Sequence, residues 1–93
     1  MFAMALERLR QECEASGKAE HYALLDAYDL GPERPPYAEL ARRSGISVTD
    51  VTNRLFRTRR ELRRIVLEVL RELTGSEEEF REEARALLGQ GAA

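Results

Sequence analysis

The chain has 93 residues, with one cysteine, one histidine, three prolines and no tryptophan. That length suits one small domain, and the 43% apolar share against 34% charged suits a helix-rich soluble module. The lone Cys13 excludes an internal disulfide and fits a reducing cytoplasm. No apolar run approaches a membrane span, and Glu7 follows the N-terminal apolar residues too soon for a signal segment.

The net charge of −2 is a sum over unlike thirds. Residues 1–35 carry 4 basic and 7 acidic groups, residues 36–67 carry 8 and 3, and residues 68–93 carry 3 and 7. A basic middle between acidic flanks is the arrangement expected where one element alone meets a polyanion, and also of an Arg-rich helix face turned to water. Fourteen of the fifteen basic residues are Arg.

Taken in chain order, Phe2 to Ala15 reads as a first helix, with Leu6, Leu9 and Cys13 on one side and Gly17 as its stop. Ala19 to Tyr28 reads as a second, placing Tyr22, Leu25 and Tyr28 together. Gly31-Pro32 and Pro35-Pro36 bracket a loop, because each proline disfavours helix at the residue before it. Pro36 suits the first turn of a third helix, Tyr37 to Ser44, ended by Gly45. Ser47, with Asp50 three residues on, caps a fourth helix that has no break from Val48 to Leu73.

The stripe Leu62, Val66, Val69 and Leu73 on that helix is expected in the core, with a part left open to pairing with another chain. Thr74-Gly75-Ser76 breaks the pattern, and Ser76 with Glu79 opens an acidic last helix from about Glu77 to Leu88. Residues 89–93 read as a fraying tail. The expected fold is a single all-α domain of about five helices. Its parts are an N-terminal helical pair (1–30), a helix-turn-helix with an extended second helix (36–73) and the acidic helix (76–88).

The span from Tyr37 to Leu55 has helix-turn-helix spacing. Ala41 gives the small residue where two helices cross, Gly45 the turn, and Val51 the apolar residue that packs the second helix on the first. Leu40, Ile46, Val48 and Leu55 complete the apolar side. Ser47, Thr49, Asp50, Thr52, Asn53, Arg54 and Arg57 remain outward. Short hydrogen-bonding groups followed by Arg suit a helix whose N-terminus enters the major groove. Arg57, Arg60 and Arg64 share one face and are placed to follow a backbone, whereas Arg59 and Arg63 lie nearer the domain or a partner protein.

Cys13 reads as a small core residue, and His21 lacks companions at metal-ligand spacing, so no metal or cofactor is expected. Glu77, Glu78 and Glu79 read as a solvated helix start. There is no Ser-His-Asp set, Gly-rich phosphate loop or recognisable carboxylate pair, which argues against an enzyme.

The pattern Tyr-Ala-Glu-Leu-Ala-Arg-Arg-x-Gly-Ile-Ser-x-x-x-Val-x-x-Arg-Leu-x-Arg-x-Arg-Arg-x-Leu-Arg, from Tyr37 to Arg63, resembles region four of bacterial RNA polymerase sigma factors, especially the extracytoplasmic-function class. More loosely the resemblance covers residues 5–73. It implies a recognition helix in the major groove of the upstream (minus-thirty-five) promoter element and a second face for the flap of the polymerase beta subunit. By position, Thr52, Asn53, Arg54 and Arg57 are the implied DNA-facing set, with Ser47 and Thr49 at the helix start. Arg42, Arg43 and Arg60 are the remaining candidates for phosphate.

The chain departs from the family at Thr52, where Lys is common, and at Asp50, whose charge is wrong for phosphate. Nothing in it resembles region two. The expected object is therefore a C-terminal piece or a free-standing relative. An anti-sigma partner, a homodimer through the C-terminal helices, and a protein-interaction module without DNA binding stay open.

Overall fold

In a computed structural model the chain is described over residues 1–88, with side-chain surroundings described to Leu87; the expected tail at 89–93 lies outside the described residues. Among those residues the fold is all-α, without strands: α1 (Phe2–Ala15), α2 (Ala19–Leu25), a π-helical turn (Asp26–Leu30), α3 (Tyr37–Ser44), α4 (Val48–Leu73) and α5 (Glu77–Leu88). No helix among them is long and apolar enough to cross a membrane.

Local chemistry sets most of the boundaries. Helix α1 ends at Gly17, whose φ of +74° suits a residue without a Cβ. There the Lys18 amide donates to the Cys13 carbonyl at 2.7 Å and the Gly17 amide to that of Glu14 at 3.2 Å, a Schellman closure. Gly45, at φ +68°, closes α3 in the same way, with the Ile46 amide on the Ala41 carbonyl at 3.0 Å. Ser47 and Asp50 form the reciprocal capping box at the start of α4. The Asp50 amide donates to Ser47 Oγ at 3.0 Å, and the Ser47 amide to Asp50 Oδ2 at 3.4 Å.

At α5 only half of the box forms as expected. The Glu79 amide donates to Ser76 Oγ at 3.1 Å, but the Glu79 carboxylate accepts from the Gly75 amide instead. Pro36 sits at the N-cap of α3, one position before the helix proper, and its carbonyl accepts from Glu39 and Leu40.

Helix α4 is the axis on which the others pack. Its buried positions Val51, Leu55, Ile65, Val66 and Val69 form one cluster with Ala5, Leu9 and Cys13 of α1, Leu24 and Leu25 of α2, and Leu40 and Ala41 of α3. Thr58 is the one buried polar side chain among the described residues, and its hydroxyl donates to the Arg54 carbonyl at 2.7 Å. This keeps the polar atom satisfied inside the seam.

Three expectations change. The second helix runs past Tyr28 to Leu30 by widening into the π turn. That turn sets the Tyr28 ring edge-on to Tyr37, with centroids 4.9 Å apart, and aims Asp29 at α4. Val48 is 46% exposed rather than part of the apolar side, because it precedes the crossing with α3. Leu73 is 58% exposed, since α4 there extends beyond the helices that form the core.

Candidate nucleic-acid interface

The side of α4 opposite Val51, Leu55 and Val69 faces water, and the residues on it are short and polar near the N-terminus, then cationic. Ser47, Thr49, Thr52 and Asn53 are exposed. The Thr52 hydroxyl donates to the Val48 carbonyl at 3.1 Å, while Thr49 and Asn53 make no side-chain hydrogen bond among the described residues. Asp50 is occupied by its cap, so its carboxylate turns toward the Ser47 amide. Phe56, 60% exposed, stands on the same side with the Arg60 guanidinium 5.8 Å from its ring centre.

The seven arginines of α4 divide by their partners. Arg54 pairs with Glu20 of α2 at 3.2 Å. Arg59 makes a two-pronged contact with Asp29 at 2.7 and 2.9 Å. Arg64 holds Glu12, Glu61 and Glu68 together at 2.6–2.8 Å, and Arg71 pairs with Glu77 at 2.7 Å while packing against the Phe80 ring. Hydrogen bonding to these acids raises the pKa of Arg59 and Arg64 further still.

Arg57, Arg60 and Arg63 make no ion pair among the described residues. At spacings of three they are centred on the face away from the core. Arg60 and Arg63 also border a groove of about 600 Å³ against Phe80 of α5.

Of the residues expected to face DNA, the structure brings Thr49, Thr52, Asn53, Arg57 and Arg60 onto one exposed surface, with Ser47 at its edge. It turns Arg54 toward α2. Arg42 and Arg43 sit on α3, both joined to Glu39, which is held below the usual carboxylate range chiefly by its bond to Arg42 and then by Arg43. Arg64, grouped in the sequence with Arg57 and Arg60, is instead tied to α1 through Glu12. Arg63, read as facing the rest of the domain or a partner, is exposed and makes no ion pair among the described residues.

Sequence reasoning weighed His21 only as a metal ligand and did not join it with Lys18 and Arg57, with which it lines a cleft. Lys18 and His21 lie more than thirty residues from Arg57 in the chain, and no local pattern joins them.

A second surface is largely apolar. Met1 and Phe2, with Leu62, Val66 and Leu87 and the arginines Arg59 and Arg63, line a hollow of about 470 Å³. No group of acidic, Cys or His side chains among the described residues could hold a metal ion.

Comparison with known proteins returned no matching family model, no matching curated protein and no matching solved structure.

Proposed function

We propose that the chain is a helix-turn-helix DNA-binding module of transcription initiation, similar to sigma factor region four. In this reading α3 and α4 are the two helices of the motif, and the first half of α4 enters the major groove of an upstream promoter element. The observation that carries this is the division of the α4 arginines: four are bound to acids of the protein, while Arg57, Arg60 and Arg63 have no ion-pair partner among the described residues and share the face that also carries Thr49 and Asn53. An Arg-rich helix kept soluble by its own acids has no need of such a segregation. A helix that meets phosphates does.

Within this reading Asn53 reads a base edge, Phe56 offers an apolar contact of the kind a thymine methyl takes, and Arg57, Arg60 and Arg63 hold phosphates. Arg42 and Arg43 lend weaker, screened charge, since Glu39 is shared between them. Arg54 serves chiefly to fix α2 on α4. Asp50 holds the helix start and does not oppose DNA directly.

The resemblance also calls for RNA polymerase, through the flap of its beta subunit. The apolar hollow at Met1, Phe2 and Leu87 supports a protein partner, and a second copy of the chain is the competing occupant. Sedimentation separates them: a monomer at tens of micromolar favours polymerase, and a concentration-dependent dimer favours self-association.

The test of DNA binding is selection from a random duplex pool at low salt. The expected result is one short recurring element, with Asn53→Ala changing the preferred base and Arg57→Ala weakening every sequence alike. Failure to bind any duplex at about 50 mM salt, where phosphate contacts are strong, would leave a protein-interaction module as the better reading.

A further inference from the structure

Beside the α4 face, the α1–α2 turn leaves an open cleft of about 600 Å³. Its floor includes Leu9, Cys13 and Thr58, and its charged lining is Lys18, His21, Arg57, Glu12 and Glu61. Glu12 and Glu61 share the single Arg64 guanidinium with Glu68, at 2.7 and 2.8 Å, and keep negative charge on the α1 side of the cleft, while Glu20 meets Arg54 at 3.2 Å. The charges lining the cleft sum to zero, but Lys18 and Arg57 have no ion-pair partner among the described residues and, with Arg54, are the cations that act on the half-buried His21 ring between α2 and α4.

The surroundings of His21 reflect this. Burial, then Arg54, Lys18 and Arg57, hold its pKa below the ordinary histidine value, and Glu20 opposes them weakly. The ring is thus neutral around pH 7 and sits in a positive field that a bound anion would cancel.

We infer that Lys18, His21 and Arg57 form a phosphate site at the α1–α2 corner, and that it takes a backbone phosphate of the duplex whose groove α4 enters. The inference rests on the reading of α4 given above and extends its footprint to a second element. The phosphate is held between the Lys18 ammonium and the Arg57 guanidinium. Complex formation favours the protonated His21 ring, which takes its proton from solvent and donates a ring N–H to the phosphate. The affinity gained from that proton is present at pH below the free-state pKa and is lost as pH rises through the bound-state pKa.

His21 is the only histidine, so its ring resonance can be followed without assignment. The experiment titrates that resonance from pH 5 to 8.5 in the whole chain alone, with inorganic phosphate, and with the selected duplex. The duplex is expected to raise the pKa by about one unit, which appears as about tenfold tighter binding at low pH than at pH 8. His21→Gln flattens that pH profile and keeps the affinity at pH 8. Lys18→Gln raises the free-state pKa of His21 by removing a cation, and makes the salt dependence of binding shallower by about one phosphate contact.

Duplex binding with the His21 pKa unmoved would overturn the site and leave the reading of α4 intact. A rise with inorganic phosphate but not with duplex would mark a site for a free anion and overturn the assignment to the DNA backbone. Absence of any duplex binding would overturn both readings.

Discussion

Arg59 and Arg60 are neighbours of the same type on the same helix, yet the structure gives them opposite surroundings. Arg59 meets Asp29 through two hydrogen bonds at 2.7 and 2.9 Å, and its guanidinium lies 5.7 Å from the Tyr28 ring centre. Asp29 is the more enclosed partner, with its side chain 22% exposed against 44% for Arg59. Replacing Arg59 by Gln leaves that carboxylate half-buried without its cation. An exposed pair is worth under about 1 kcal/mol and a fully buried one costs about 3–5 kcal/mol to break, so a half-exposed, two-pronged pair falls near the low end, at about 1 kcal/mol.

For a chain of this size that lowers the melting temperature by about 4–8 °C. Arg60→Gln removes only an exposed cation near Phe56 and should stay within about 0.5 kcal/mol of the parent. Gln is as good a helix former as Arg, so propensity cancels between the two variants. Thermal and urea unfolding measure the first difference, and duplex binding measures its mirror image, with Arg60→Gln the weaker binder. Asp29→Asn in a double-mutant cycle should show coupling to Arg59 and none to Arg60. Equal unfolding midpoints for Arg59→Gln and Arg60→Gln would refute the division of the α4 arginines into pinned and free.

Other consequences concern the frame that holds the site. Gly45→Ala is expected to cost about 1 kcal/mol for its left-handed conformation alone, since an added Cβ meets nothing within 4 Å; Gly45→Asn should recover part of it. At Gly31 the cause is different: a Cβ there lies 3.1 Å from the Ala27 carbonyl oxygen, so Gly31→Ala should speed amide exchange across residues 26–30. Phe80→Ala removes the ring that rests 4.1 Å from the Arg71 guanidinium, worth about 0.5–1 kcal/mol, and should loosen α5 in amide exchange while leaving the core unfolding midpoint almost unchanged. Burial, and next the nearby Glu12 and Glu61, push the Cys13 thiol up, so thiol reagents at pH 8 should react with it slowly in the folded protein and quickly in urea.

The helix ends were legible in the sequence because their causes are local. Gly17, Gly45 and the Ser47–Asp50 box each act within a few residues, and each sits where the pattern puts it. The π turn at 26–30 was not, because it answers to Tyr37 and Arg59, which lie outside any local window. The same holds for the site. Its short polar residues and its arginines can be read from Ser47 to Arg63, but which arginines are free cannot.

That depends on Glu20, Asp29 and Glu12, brought to α4 from 30 to 52 positions away. Helical periodicity put Arg57, Arg60 and Arg64 together, and Glu12 then takes Arg64 out of the set. Val48 and Leu73 show the converse limit: both fit an apolar pattern, and both lie where the helix leaves its neighbours behind.

On the proposed function, the outer face of α4 binds duplex DNA through arginines that have no ion-pair partner among the described residues. The most direct test is the salt dependence of duplex binding for the whole chain and for the triple variant Arg57→Gln, Arg60→Gln, Arg63→Gln. Three lost phosphate contacts predict a log–log slope shallower by about 2.7, with folding retained. Equal slopes for the two proteins, or binding that salt does not weaken, would contradict it.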